Sequence, residues 1–189
     1  MNMQMTSRVD SAMDRAPDAA VIEARDLNLV FGTGETSVHA LKDINLTINK
    51  GEFVSFIGPS GCGKTTFLRC VASLETPTGG SLTVNGMTPE DARKQRAYGY
   101  VFQAAGLYPW RTIAKNIKLP LEIMGYSKAE QDKRVAEVLE LVELSGFGGK
   151  FPWQLSGGMQ QRASIARALA FDADLLLMDE PFGALDEIV

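Results

Sequence analysis

An octapeptide in the first half of the chain combines residue types that can bind phosphate. It reads Gly58, Pro59, Ser60, Gly61, Cys62, Gly63, Lys64 and Thr65, which fits the pattern G-x4-G-K-[ST] in full. Glycines let backbone N–H groups turn towards an anion, and a helix that follows adds free N–H groups and the positive end of its dipole. Lys64 can reach the outer phosphates and Thr65 can offer its hydroxyl to Mg²⁺. The octapeptide predicts a nucleoside triphosphate site; the alternative is a glycine-rich structural turn.

Two carboxylates follow an apolar run near the end of the sequence. The run 175–178 predicts a strand buried on both faces, and Asp179 and Glu180 follow it directly. The carboxyl ends of parallel strands share one edge of a sheet, where the phosphate-binding octapeptide also opens. We therefore expect Asp179 to hold Mg²⁺, directly or through water, and Glu180 to orient and deprotonate an attacking water. The alternative is a solvated strand end.

A third element places a serine and two glycines at the start of a predicted helix. It reads Leu155, Ser156, Gly157, Gly158, Met159, Gln160, Gln161 and Arg162, and alone it is equally typical of an ordinary Ser N-cap. Taken in chain order, the octapeptide, Gln103 after a strand, this octet and the pair Asp179–Glu180 resemble the ATP-binding subunit of ABC transporters. The resemblance covers about residue 21 to the chain end, and the octet matches the signature motif of that family.

The resemblance implies an ATPase with ATP and Mg²⁺ as cofactors. It makes Lys64, Gln103 and Glu180 catalytic, and it assigns Mg²⁺ to Thr65, Gln103 and Asp179. Nucleotide contacts are implied for residues in three regions of the chain: Phe31, the octapeptide 58–65 with Thr66, and Ser156, Gly157, Gly158 and Asp186. Phe31 would stack on adenine, or else it is a core strand residue. Cys62 is assigned no chemistry, a reactive thiol being the alternative.

The same resemblance implies partners and a location. Two copies would form a head-to-tail homodimer around two ATP molecules, with Ser156, Gly157 and Gly158 contacting the γ-phosphate held by the opposite subunit and Asp186 communicating across the dimer. Hydrolysis would let the dimer reopen. Transmembrane permease subunits would dock near Gln103, a solute-binding protein would act indirectly, and no nucleic acid would take part. The subunit would lie at the cytoplasmic face of the membrane.

A short segment after Gln103 narrows the expected type of transporter. It contains Leu107, Tyr108, Pro109 and Trp110, a form similar to importers of the nitrate, sulfonate and taurine group. We therefore expect an importer of a small anion of this kind. Generic loop packing is the alternative, and subunits of this kind do not bind the solute themselves.

The elements that must position these residues are those of an α/β P-loop NTPase of the ABC type. We expect a parallel core sheet, an N-terminal antiparallel β subdomain and a helical insertion. Alternating apolar residues and short apolar runs predict strands within 21–48, at 53–57, at 82–84 and at 98–102. Asn85 and Gly86 predict a tight turn.

The predicted helical subdomain covers about residues 104–158. Within it Ser127 and Glu130 form a capping-box signature, and the glycines 146, 148 and 149 are expected to end the helix that follows. The ATP-binding domain spans 21–189. Residues 1–20 are polar, lack an apolar signal segment and predict a disordered tail.

Composition excludes several other classes of protein. The chain has 189 residues, a net charge of −4 and 45% hydrophobic residues, so it is neither a disordered chain nor one with a global basic field for nucleic acid. It has no apolar run of about 18 residues. Cys62 and Cys70 are expected to be two reduced thiols.

One expected element of the family has no counterpart. The family carries a histidine on the strand after Asp179–Glu180, whereas the one histidine here, His39, lies in the N-terminal strand region and is expected to be an ordinary strand or surface residue. We expect the chain to be an incomplete subunit, without the C-terminal strands, and a poor ATPase alone.

Three other functions remain open from the sequence. The first is a soluble ABC-type ATPase acting on DNA or ribosomes; relatives that act on DNA carry long coiled coils or zinc-binding insertions between the positions of Lys64 and Ser156, and this interval has neither. A truncated fragment that binds nucleotide without turnover is the second. A kinase or GTPase is the third, and it leaves Ser156, Gly157 and Gly158 unexplained.

Overall fold

The structure, a computed structural model, describes residues 4–5 and 20–181 of the chain. They fall into two compact units, Met1–Ala97 and Tyr98–Val189. The first unit contains β1 Gln4–Met5, β2 Ala20–Phe31, β3 Val38–Asn49, β4 Phe56–Ile57, α1 Lys64–Val71, β5 Gly79–Val84 and α2 Pro89–Lys94. The second contains β6 Tyr98–Val101, α3 Ile113–Ile123, α4 Lys128–Leu141, α5 Gly157–Leu169 and β7 Leu175–Met178. Of the helices described, none is both long and apolar enough to cross a membrane.

An antiparallel sheet with the strand order β3-β2-β5 forms the frame of the first unit. The period-two pattern is confirmed, because alternate apolar residues of β2 and β3 are buried: Ile22, Ala24, Leu27, Leu29, Leu41, Leu46 and Ile48. Asn85 and Gly86 have φ values of 50° and 72°, and Val84 pairs with Met87 across them. Two consecutive positive φ angles are what a tight hairpin turn of type I′ requires, so the predicted turn is confirmed.

The strand that leads into the phosphate-binding octapeptide is shorter than predicted. β4 covers two residues rather than 53–57, and it pairs antiparallel with β1. Within the described chain, residues 53–55 have no ladder partner, and Phe53 is 93% exposed. Of the predicted tail 1–20, the structure describes β1 and Ala20, so disorder in the remainder lies outside the described residues and stays a prediction.

Helix α1 packs one face into the core of the first unit. Phe67, Leu68, Cys70 and Val71 are buried, and the ring of Phe67 lies edge-on to that of Phe56, with centroids 5.3 Å apart. Burial, helped by the charge of Glu75, raises the pKa of the Cys70 thiol to about 11. Cys62 and Cys70 are both free thiols, as expected.

In the second unit a parallel strand pair carries the predicted carboxylates. β6 and β7 align from Tyr98 opposite Leu175 to Val101 opposite Met178. β7 is less buried than the sequence predicts: Leu177 is buried, whereas its other three residues are half-buried. The physical reason is that β6 is the one strand that pairs with β7 among the described residues.

The helices of the second unit share one apolar core. It consists of Ile113, Ile117 and Leu121 of α3, Val135, Val138 and Leu139 of α4, Leu144 and Leu155 from the connections, and Ala163, Ala166 and Ala170 in and after α5. A helical region after Gln103 is therefore present, and its core extends beyond residue 158 because α5 packs into it.

The start of α4 follows the sequence prediction, but its end does not. Ser127 Oγ accepts from the Glu130 N–H, and Glu130 Oε2 accepts from the Ser127 N–H, which completes the capping box. The helix ends at Leu141, before the glycines, and Glu143, just after the C-cap Val142, has a φ of 58°. The N–H of Leu144 donates to the Leu139 carbonyl at 2.8 Å, and both side chains are buried in the helical core. This is a Schellman ending, stabilised by its apolar contact rather than by glycine.

Substituting Gly99 with alanine is expected to destabilise the second unit by about 1–3 kcal/mol, the usual penalty for overpacking. A Cβ at this position would lie 2.7 Å from the Ala168 carbonyl oxygen, which α5 holds rigidly. Urea unfolding followed by the fluorescence of Trp110 and Trp153 measures the change in this unit. The control is Gly146→Ala, where a Cβ meets nothing within 4 Å; equal unfolding midpoints for the two variants would contradict the close approach.

Candidate functional site

The octapeptide forms a loop between β4 and α1, as predicted. Gly61 and Gly63 have φ values of 79° and 101°, a conformation that favours glycine. A Cβ on Gly63 would lie 2.8 Å from the Ala40 carbonyl oxygen, so this position also has no room for a side chain. Gly63 is the N-cap of α1, and no side chain caps that end of the helix. The first-turn amides and the positive end of the dipole are thus available to an anion.

Lys64 is held against the same loop by hydrogen bonds. Its ammonium donates to the carbonyl oxygens of Gly58 at 2.8 Å and Pro59 at 3.2 Å. The Cys62 Sγ lies 2.7 Å from where a Cβ of Gly58 would be, so Cys62 packs on the loop backbone. The cation is therefore positioned beside the backbone amides of the octapeptide.

These donors fit a nucleoside triphosphate. The loop offers backbone N–H groups and one ammonium group, and Thr65 and Thr66 place their hydroxyl-bearing side chains in the first turn of α1. No carboxylate lies in that first turn to repel phosphate. The donor set matches the chemistry of ATP, which carries several negative charges and bridges to Mg²⁺ through phosphate oxygens.

Phe31 and His39 lie at the end of the β2–β3 hairpin where residues 32–37 connect the two strands. Phe31 is opposite Val38 and is 42% exposed. It is therefore not a core residue, which leaves its ring accessible. His39 is exposed and pairs with Val30, as expected of an ordinary strand residue.

The residues that follow β6 and β7 meet at the ends of the two strands. Gln103 Nε2 donates to Glu180 Oε2 at 2.8 Å, so the structure brings together two predicted catalytic residues that are 77 positions apart. Asp179 is 5% exposed, and its N–H extends the ladder to the Val101 carbonyl. Glu180 is exposed and has a φ of 46°, which is uncommon for a residue with a side chain.

The octet 155–162 begins α5, as predicted. Ser156 Oγ accepts from the Met159 N–H at 3.3 Å, so Ser156 is an N-cap. Gly157 and Gly158 are the first residues of the helix, and space around Gly157 is open. Ser156 and Gly157 are exposed, which leaves this helix start accessible to another molecule. The N-cap interpretation and the phosphate-binding interpretation are therefore compatible.

The proximity of the two halves of the predicted site stays a prediction. The octapeptide and Phe31 lie in the first unit, and Gln103, Asp179, Glu180 and the octet lie in the second. Asp186 lies outside the described residues. Among residues 4–5 and 20–181, no three His, Cys, Asp or Glu side chains converge to hold a metal ion by themselves. Mg²⁺ bound with ATP needs one or two protein ligands besides phosphates and water, so Thr65, Gln103 and Asp179 would suffice with nucleotide.

The sequence did not predict the structural roles of three polar residues that organise the second unit. Gln161 and Arg167 of α5 donate to backbone carbonyls of the segment after β6. Asn116 is fully buried and bonds both backbone groups of Tyr108. One indication of the role of Asn116 was present in the sequence: it lies between Ile113 and Ile117 on an apolar helix face, where a buried amide must form hydrogen bonds.

Asn116 holds the Pro-Trp segment beside an apolar cleft. Its Nδ2 also donates to the carbonyls of Arg111 and Thr112, both at 3.0 Å. Trp110 is 73% exposed on this segment. The cleft has a volume of about 370 Å³ and is lined mainly by apolar and aromatic side chains, among them Phe102, Tyr108 and Ile123.

Comparison with known proteins agrees with this geometry. A family model described as ABC transporter matches residues 41–183. The taurine import ATP-binding protein TauB of Pelagibacter ubique is 47% identical over 167 residues, which cover 87% of this chain and 62% of the relative. The nitrate import ATP-binding protein NrtD of Synechocystis sp. is 46% identical over 165 residues, which cover 87% of this chain and 61% of the relative.

A solved structure shows the same fold. The dimeric, post-hydrolysis state of the ATP-binding cassette MJ0796 bound to ADP and Pi matches with a TM-score of 0.78 and 40% identity, over 88% of this chain and 76% of that one. The chain spans about three fifths of the length of the curated relatives it matches, 62% and 61%. Because the family model matches well over half of the residues and the fold agrees, the chain belongs to the ABC transporter family.

Proposed function

We propose that this chain binds Mg-ATP through residues 58–66 and hydrolyses it. The observation that carries the proposal is the loop geometry: positive φ at Gly61 and Gly63, an uncapped α1 and the ammonium of Lys64 held against the loop. ATP supplies the phosphoryl group and Mg²⁺ offsets its charge. Of this chain's residues, Lys64 would bind the outer phosphates, and Thr65 and Asp179 are the proposed ligands of the metal.

Gln103 and Glu180 are the proposed catalytic pair. Glu180 would orient the attacking water and accept a proton from it, and Gln103 would contact the metal and the γ-phosphate. Their hydrogen bond in the structure supports a shared role. Phe31, with its accessible ring, stacks on adenine.

We further propose a head-to-tail homodimer. The exposed start of α5, with Ser156, Gly157 and Gly158, offers helix N–H groups that a γ-phosphate on a second copy can reach. The dimeric state of the related cassette MJ0796 supports this arrangement. Asp186 communicates across the same interface.

The proposed partner is the permease of an importer at the cytoplasmic face of a membrane, served indirectly by a solute-binding protein. The apolar cleft and the exposed Trp110 supply a surface for a permease segment. The names of the taurine and nitrate relatives support a small anion as the solute.

Two measurements test the proposal separately. Isothermal titration of the chain with Mg-ATP should give saturable binding that chelation of Mg²⁺ weakens; a titration without heat or saturation would refute the nucleotide site. Deleting the gene in its host should abolish uptake of one labelled solute among taurine, nitrate and an alkyl sulfonate. Unchanged uptake of all three would refute the importer of these anions and leave the ATP site standing.

A further inference from the structure

Helix α5 forms hydrogen bonds with the loop that carries Gln103, both before and after this residue. We name residues 102–106 the glutamine loop. Gln161, which is 2% exposed, donates from Nε2 to the Phe102 carbonyl at 3.1 Å. Arg167 donates from its two terminal nitrogens to the carbonyls of Gly106 at 2.8 Å and Ala105 at 2.9 Å. The backbone is thus anchored immediately before and shortly after Gln103.

The Arg167 contacts are the stronger of the two anchors. A charged donor makes stronger hydrogen bonds than a neutral amide, and a planar guanidinium can bind two neighbouring carbonyls at once. Among the described residues Arg167 forms no ion pair, so the loop carbonyls are the acceptors that the structure gives it. Burial lowers the pKa of Arg167, but an arginine stays protonated in proteins.

Both anchors belong to the helix whose first turn contains Gly157 and Gly158. One rigid element therefore connects the proposed γ-phosphate contact with the glutamine loop, over about 15 Å for the ten residues from Gly157 to Arg167. The amide of Gln103, fixed between the anchors, reaches the carboxylate of Glu180. Movement of α5 must move Gln103 as well.

We propose that Gln161 and Arg167 are positioning residues that hold the glutamine loop on α5, so that the Gln103 amide stays at the Glu180 carboxylate. The catalytic consequence rests on the proposed ATPase function. The anchoring itself does not, because it is a property of the second unit alone.

The anchoring is tested without nucleotide. NMR relaxation on the intact chain should give backbone order parameters near about 0.85 for residues 103–106 and below about 0.6 after Arg167→Ala. Arg167→Lys keeps the positive charge but lacks the planar guanidinium that binds two carbonyls at once, so it should give intermediate values. It also provides a second variant if the alanine variant folds poorly. The matched control is Arg134→Ala, which removes an arginine that donates to the Ala170 carbonyl at 3.2 Å and whose hydrogen bonds within the described part of the chain do not involve the glutamine loop.

The catalytic consequence is tested by steady-state ATP hydrolysis. Arg167→Ala should lower kcat by about tenfold to a hundredfold, as misplacement of a catalytic group does, with KM for ATP unchanged because residues 58–66 are untouched. Arg167→Lys should recover part of kcat, and Arg134→Ala should retain it. A glutamine loop that stays rigid in Arg167→Ala overturns the proposal, and so does a mobile loop with unchanged kcat. Because this chain is expected to be a poor ATPase alone, absence of turnover in the unmodified chain would leave the order parameters to decide the anchoring, and a rigid glutamine loop in Arg167→Ala would then overturn it.

Discussion

Replacing Lys64 with alanine is expected to weaken Mg-ATP binding at least about 100-fold, because hydrogen bonds from a charged donor to an anion are lost. The structure positions this ammonium beside the Gly58 and Pro59 carbonyls, close to the loop amides that would bind the same phosphates. No other cation of the octapeptide can take its place, since Lys64 is the one charged residue in it. Isothermal titration with Mg-ATP measures the change.

The matched control removes a lysine of the same unit from a solvated surface. Lys94 pairs with Glu90 at 2.9 Å, and both side chains are about 60% exposed, so Lys94→Ala changes the net charge equally but leaves the loop intact. We expect its ATP affinity to stay within about twofold, as for most exposed ion pairs. Similar affinities for Lys64→Ala and Lys94→Ala would contradict the phosphate-binding role of the loop.

Glu180→Gln is expected to lower ATP turnover by about 10²- to 10⁴-fold, the usual contribution of a general base. Glutamine has the shape of glutamate but cannot take a proton from water at neutral pH. It can still accept from the Gln103 amide, so the contact between the two residues survives. ATP affinity should therefore be retained, and the ATP-bound dimer should persist because hydrolysis no longer reopens it.

Sedimentation with Mg-ATP and a turnover assay check both parts of this expectation. Glu140, an exposed carboxylate of α4 in the same unit, gives the control Glu140→Gln, which should hydrolyse ATP like the unmodified chain. Turnover by Glu180→Gln at the rate of Glu140→Gln would exclude Glu180 as the base. Loss of ATP binding in Glu180→Gln would instead make Glu180 a binding residue.

Elements governed by local chemistry could be predicted from the sequence. The turn at Asn85 and Gly86 follows from the need for two positive φ angles, and the start of α4 follows from the reciprocal bonds of Ser127 and Glu130. The loop at 58–65 is of the same kind, because its glycines are required by its own backbone. In each case the cause lies within a few residues of the effect.

Elements governed by tertiary contact could not be predicted. α4 ends at Leu141, and the chain turns at Glu143, because Leu144 is buried in the helical core; the positions of the glycines do not reveal this. α2 was not predicted, although Thr88 caps it by accepting from the Asp91 N–H and Pro89 begins it. A helix of six residues depends on tertiary packing for its stability, so its capping residues alone do not predict it.

The candidate site divides in the same way. Residue types and spacing identified Lys64 and Glu180, and the family resemblance added Gln103. The bond between Gln103 and Glu180 depends on the parallel pairing of β6 with β7. Gln161 and Arg167 act on backbone carbonyls. Every residue carries a carbonyl, so the acceptor leaves no mark in the sequence.

The left-handed backbone of Glu180 means that stability and the proposed chemistry favour different residues at this position: glycine for stability, and a carboxylate for chemistry. In this conformation a residue with a side chain is less stable than glycine by about 1–2 kcal/mol. The chain nevertheless carries a glutamate here, with φ 46°. Drift towards a more stable sequence would favour glycine at this position and would discard the carboxylate. The proposed role of Glu180 as a general base would account for a carboxylate at this position in spite of its cost in stability.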